Sequence, residues 1–165
     1  MLKGLIHRYR QKGIMVDSNL LVAYLVGLLD PAQLGNCRAT KALSPDDFGL
    51  LEKFLGQFNR VITTPHILAE VSNLAGRLPE SLHVKFRLVF RHVIERLSEK
   101  YDTSASISQR AEFLRFGLAD TAISMAKPGS YLVLTDELAL AGLLQKQGKD
   151  VVNFNHLRVE MWRQN

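Results

Sequence analysis

The sequence predicts an α/β fold, a three-layer α/β/α sandwich around a mostly parallel central sheet. Short apolar runs of β type alternate along the chain with stretches of helical spacing, and no repeat or low-complexity tract interrupts the alternation. Such alternation needs crossovers that cover both faces of a parallel sheet. With 165 residues, 47% of them hydrophobic, the chain suits one domain over residues 1–165, with a basic extension at 1–12 and a helical insert at about 79–116.

The opening "MLKGLIHRYRQKG" is basic and has neither the apolar centre nor the small-residue cleavage site of a signal peptide. "GIMVDSNLLVAYLVG" then gives a first strand, Ile14 to Val16, which ends at Asp17 and yields to helical spacing through Leu29. Asp30 to Leu43 reads as a loop-rich insert. In "SPDD", Ser44 caps a helix, Pro45 suits its first turn, and Asp46 and Asp47 favour its dipole, so a helix runs to about Phe58. Arg60 to Thr63 is a second strand. "TPHILAEVSNLAG" restarts a helix with Thr64 as cap and Pro65 at its first position, and Glu70 lies at the edge of the apolar stripe.

Ser81 to Lys100 reads as one long basic amphipathic helix, with Leu82, Phe86, Val89, Phe90, Val93 and Leu97 at helical spacing. A polar loop around Thr103 to Ser106 leads into "QRAEFLRFGLADTAISMA", a helical segment interrupted at Gly117 that leaves Asp120 near a helix start. "PGSYLVLTDELALAGLLQKQGKDVVNF" closes the pattern as turn, strand, Asp136, helix, a turn at Gly148 and a last strand from Asp150 to Phe154.

Several functions are excluded at this stage. The longest apolar run, Leu20 to Leu29, falls well short of the ~20 residues of a membrane span, so a cytoplasmic protein without a membrane partner is expected. Cys37 is the lone cysteine, which rules out an internal disulfide or a cysteine-built metal site within one chain. "GLLQKQGKD" fails as a phosphate-binding loop in its spacing, in lacking Ser or Thr after Lys149, and in running from helix to strand. The five histidines have no triad or metal-helix spacing, and Asp17-Ser18-Asn19 lacks the second aspartate of an aspartyl-nucleophile phosphatase. Lys and Arg number 21 against 16 acids, a net charge of +5 that favours polyanionic partners. The excess gathers at Lys3, Arg8, Arg10 and Lys12 and again at Lys85, Arg87, Arg91 and Arg96, although a solvated helix face explains either cluster equally well.

Ligands of open parallel sheets sit beyond the carboxyl ends of the strands. Asp17 and Asp136 occupy that position after separate strands, and Glu70 and Asp120 lie on helices that begin on the same side. If these carboxylates converge, one must take up a proton or a cation must join them. An all-oxygen donor set suits Mg²⁺ or Mn²⁺, whose retained waters can attack a phosphodiester. Helix capping explains Asp17, Asp120 and Asp136 as readily, and an ordinary half-exposed helix glutamate explains Glu70. Asp30, Asp46, Asp47, Glu95 and Glu99 have plainer roles in turns, helix starts and solvated faces.

Four stretches, "IMVDSNLL", "VITTPHILAEVSNL", "GLADTAISMA" and "YLVLTDELAL", taken in order and at their separations, resemble the PIN-domain family of ribonucleases from Gly13 to about Asn155. The resemblance implies a PIN-like sandwich in which Asp17, Glu70, Asp120 and Asp136 hold one or two Mg²⁺ or Mn²⁺ ions and hydrolyse RNA. It implies that Ser18, Asn19 and Thr135 support the acids by hydrogen bonding, with helix capping an equal explanation for Ser18. Similarity to toxin-type members implies an antitoxin protein as partner, although the extension before Gly13, the insert at Asp30 to Leu43 and the long helical section from Pro79 to about Phe116 depart from them, and the extra basic helix either widens an RNA track or packs a homodimer or an antitoxin. Lys85, Arg87 and Arg91 are candidates for phosphate contacts without base specificity. The leading expectation is a metal-dependent endoribonuclease. The rivals are a non-catalytic RNA- or partner-binding module and a structure-specific DNA nuclease.

Overall fold

In a computed structural model describing residues 2–162, strand Ile14–Val16 (β1) lies at the centre of a five-stranded sheet. Val61–Thr63 (β2) and Ser98–Glu99 (β3) extend the sheet to one side, and Leu132–Thr135 (β4) and Val151–Asn153 (β5) to the other. Every neighbouring pair is parallel, with Met15 opposite Ile62 and Val133, and Val133 opposite Val151. All strands therefore end on one side. β1 and β4 are buried along their whole length, as a sheet covered on both faces requires of its central strands.

The helices are Leu2–Tyr9 (α1), Ser18–Leu29 (α2), Pro45–Leu55 (α3), Pro65–Ala75 (α4), His83–Ile94 (α5), Ser104–Ser108 (α6), Phe113–Ser124 (α7), Leu138–Lys146 (α8) and Phe154–Trp162 (α9). α2 is apolar on nearly every side, so it must be covered all round, and it packs against α3, α4 and α5. At Gly27 an added Cβ would stand 2.1 Å from the Phe48 ring, which is why α3 can press so closely on α2. Successive crossovers run outward from β1 to β3 and then return to β4 and β5. Right-handed connections consequently place α2–α5 on one face and α7 with α8 on the other, the three-layer α/β/α sandwich that the sequence predicts. No helix among the described residues is long and apolar enough to cross a membrane.

The caps follow the sequence. Asp17 accepts from the Leu20 N–H, Thr64 from that of Ile67 and Ser44 from that of Asp47. Elsewhere the structure corrects the boundaries. The helix expected over Ser81–Lys100 stops at Ile94, because Ser98 and Glu99 pair with β2 as an edge strand and the Lys100 N–H donates to the Thr63 carbonyl at 2.8 Å. The polar loop at Thr103 is instead a short helix, with the Thr103 hydroxyl accepting from the Ser106 N–H. Residues 1–12 are no appendage, since Tyr9 is fully buried and its hydroxyl donates to Asp150 at 2.7 Å. The insert after Asp30 contains a 3₁₀ turn, Pro31–Asn36, and sends Leu34, Cys37 and Thr40 into the interior. Beyond β5 the chain continues as α9, whose Arg158 pairs with buried Asp47 of α3 at 2.8 Å.

Candidate functional site

β1 and β4 are neighbours, but the chain leaves them toward opposite edges of the sheet. The two crossovers diverge there and open a crevice at the carboxyl ends of the strands. Asp17 follows β1 directly and Asp136 follows β4 directly, so both open into that crevice.

Asp17 is only 3% exposed. Its Oδ1 accepts from the Leu20 N–H at 2.9 Å and its Oδ2 from the Asp136 N–H at 3.1 Å. Capping and site membership are therefore compatible, because each uses a different oxygen. Burial, followed by the charge of Asp136, pushes the Asp17 carboxyl well above the usual range, and hydrogen bonds from Thr135, Leu20 and Asp136 oppose this shift. Asp136 is held by its main chain: its N–H bonds Asp17, its carbonyl accepts from the Asn155 side-chain amide at 2.9 Å, and the Thr135 hydroxyl fixes the next peptide through the Glu137 N–H at 3.0 Å. Its Oδ1 is buried without a hydrogen-bond partner.

Glu70, exposed on α4, accepts a hydrogen bond from the Ser18 hydroxyl at 3.2 Å. That contact draws it toward the start of α2, beside Asp17. Asp120 sits three residues past Gly117, whose φ of 74° and ψ of −169° break α7 in a conformation open only to glycine. Because α7 touches both α4 and α8, Asp120 comes within the field of several acids. Its pKa is pushed up to about 7 by burial and then by the charges of Glu137, Glu70 and Asp136. The charges that act on Asp120 come from Glu137, Glu70 and Asp136, and Asp17 joins this set through its hydrogen bond from the Asp136 N–H.

Glu137 is a fifth acid of this group that the sequence reading passes over. Burial and the charges of Asp136 and Glu70 raise its pKa. The available signal was adjacency, since Glu137 follows Asp136 at a strand end. Among the supporting residues, Ser18 and Thr135 touch the acids. Asn19 is half-buried on α2, with no hydrogen bond joining its side chain to them among the described residues. Lys85, Arg87 and Arg91 are exposed on α5, outside the acid group.

No three His, Cys, Asp or Glu among the described residues stand close enough together to enclose a metal ion unaided. The donor chemistry fits a hard ion that keeps its water, since Mg²⁺ is commonly held by one or two carboxylates with waters completing the octahedron. The unpartnered Asp136 oxygen and the raised pKa of Asp120 both mark negative charge without compensation, which a cation would supply. A cavity of about 280 Å³ lies elsewhere, between α1, α8 and α9, and Leu2, Leu5, Ala141, Val152 and Leu157 make its lining mainly apolar. Chemistry therefore points to the acid crevice and away from the apolar cleft. The crevice is the better candidate because reactions need charge in position.

No family model, curated protein or solved structure matches this chain.

Proposed function

We propose that the protein is a metal-dependent endoribonuclease in which Asp17, Glu70, Asp120 and Asp136, joined by Glu137, seat Mg²⁺ or Mn²⁺. The observation that carries this reading is the convergence on Asp120, raised to about 7, of charges from α4, from the end of β4 and from the start of α8. Such a group disfavours its own ionised form until a cation arrives. When bound, the ion would lower the pKa of a coordinated water and offset charge on the phosphodiester oxygens during in-line displacement.

The chain's own residues supply position and proton control. Asp17 fixes the main chain at Asp136, Thr135 holds the following turn, and Ser18 aims Glu70. Asp120, pushed up to about 7, is poised to give up its proton as positive charge enters. The choice of RNA over DNA rests on the resemblance to PIN-domain ribonucleases, and the net charge of +5 suits either polyanion. The antitoxin partner rests on that resemblance alone, the homodimer on the extra basic helix, and the cytoplasmic location on the sequence features given above.

The test is cleavage of an end-labelled structured RNA pool, and of DNA of the same sequence, by wild type and Asp17→Asn with Mn²⁺, Mg²⁺ or EDTA. Discrete RNA products from the wild type alone, lost with EDTA, are expected. RNA retained without cleavage in either metal would replace the enzyme with a binding module, and equal cleavage of DNA would widen the substrate. Full activity in a folded Asp17→Asn protein would remove the acid site.

A further inference from the structure

We propose that a groove over α4 and α5 carries the RNA strand adjoining the scissile bond, with Arg87 holding a phosphate at its far end. This rests on the nuclease reading above and extends it to the path of the substrate.

Two hollows meet on that surface. One is open and bounded by Ala69, Glu70, Ser72 and Asn73. The other is a recess of about 90 Å³ walled by Ser72, Gly76, His83 and Arg87 over the rings of Phe86 and Phe90. Ser72 borders both, so the two hollows adjoin on α4, and the open one begins at Glu70, an acid of the crevice. Gly76 stands six residues beyond Glu70, about 9 Å along the axis at ~1.5 Å per residue. The recess thus lies farther along α4 than Glu70, apart from the acids.

Its size and charge agree with that occupant. Sites that take a whole small molecule measure roughly 300–1,000 Å³, far more than this recess offers. Arg87 makes no ion pair among the described residues, which leaves its fork of N–H donors for an anion. The His83 ring is held in place by the Leu78 carbonyl at 2.8 Å. Lys85 and Arg91 border neither hollow, so the basic helix is not uniform: one of its cations faces a groove leading to the acids. A contact of this type positions the strand and reads no base.

The experiment uses single-stranded RNA of one cleavable sequence in which each phosphate in turn is replaced by an uncharged methylphosphonate. Wild type, Arg87→Ala and Lys146→Ala are compared, the last removing an exposed charge on α8. One neutralised phosphate near the cut should lower wild-type kcat/KM about tenfold. Arg87→Ala should show the same loss on unmodified RNA and no further loss at that one phosphate, while Lys146→Ala follows the wild type. The salt slope of RNA binding should fall by about 0.7, the value for one single-strand phosphate. The proposal is overturned if Arg87→Ala matches Lys146→Ala, or if it stays sensitive at every phosphate. A wild type that cleaves no RNA removes the nuclease reading separately. RNA affinity then decides the groove: a tenfold loss in Arg87→Ala keeps it, and unchanged affinity removes it.

Discussion

Asp17 and Asp136 end neighbouring parallel strands, yet the fold treats their carboxylates in opposite ways. Both oxygens of Asp17 are engaged by main-chain N–H groups, one in its own helix and one across the crevice. Asp136 is held by its N–H and carbonyl, and its Oδ1 is buried with no partner. Identical chemistry at equivalent positions thus yields one carboxylate whose oxygens each already hold an N–H, with lone-pair capacity still left, and one that keeps an oxygen wholly unpartnered. What separates them is how many oxygens remain free once the backbone is satisfied, a property that lies in the turn after the strand and not in the aspartate itself.

Removing each charge should break the symmetry differently. Asp136→Asn is expected to lower kcat at least about a hundredfold while leaving the melting temperature equal or higher, because it relieves repulsion against buried Asp17. Steady-state kinetics beside thermal melts would check it, and a collapse in stability would make Asp136 the anchor. Glu137→Gln should come next, raising the metal concentration needed for half-maximal activity about tenfold, as read from Mn²⁺ titrations. A wild-type metal response in that variant would place Glu137 outside the seat.

A third expectation concerns pH. Asp120 rises from an ordinary 3.8 to about 7 in the folded chain, so the fold favours its protonated form. Stability in EDTA should therefore be greatest below about pH 4 as far as this group decides it, and should decline as pH climbs from there to about 7. Melting curves at successive pH values should show the decline, Asp120→Asn should flatten it, and Mn²⁺ should restore stability at pH 8 through preferential binding to the folded state. The smallest effect is expected from Asn155→Ala, which frees the Asp136 carbonyl. A loss of about 1 kcal/mol in denaturant unfolding and a severalfold fall in cleavage would follow.

The parts of this molecule that local physics dictates were legible in the sequence. Ile14–Val16 and Leu132–Thr135 are apolar runs closed by an acid, and Ser44, Thr64 and the break at Gly117 announce themselves by residue type. β3 was not legible, because a two-residue edge strand has no period of its own and exists through its pairing with β2. Leu97 prolonged the helical spacing past Ile94, and so the expected helix overran the strand. The docking of α1 was hidden for a related reason: the burial of Tyr9 is settled by Asp150, far along the chain. In the site, the four acids could be chosen by position, but Glu137 acquires its place from the turn that Thr135 holds. That Asp17 caps α2 with one oxygen and holds the Asp136 N–H with the other is likewise a fact of three dimensions.

One line of contacts runs through the molecule from Ser44 to Asp17. Ser44 bonds Asp47, Asp47 accepts Arg158 at 2.8 and 3.0 Å, Arg158 reaches Asn155 at 3.4 Å, Asn155 holds the Asp136 carbonyl, and Asp136 bonds Asp17. Translation proceeds in one direction, and Asn155 and Arg158 are joined to the nascent chain after every acid of the crevice. A chain halted on the ribosome at Asn153 already carries all five carboxylates and still lacks the strut that sets Asp136. The bond that sets the Asp136 carbonyl accordingly forms only after all five acids have been joined to the chain.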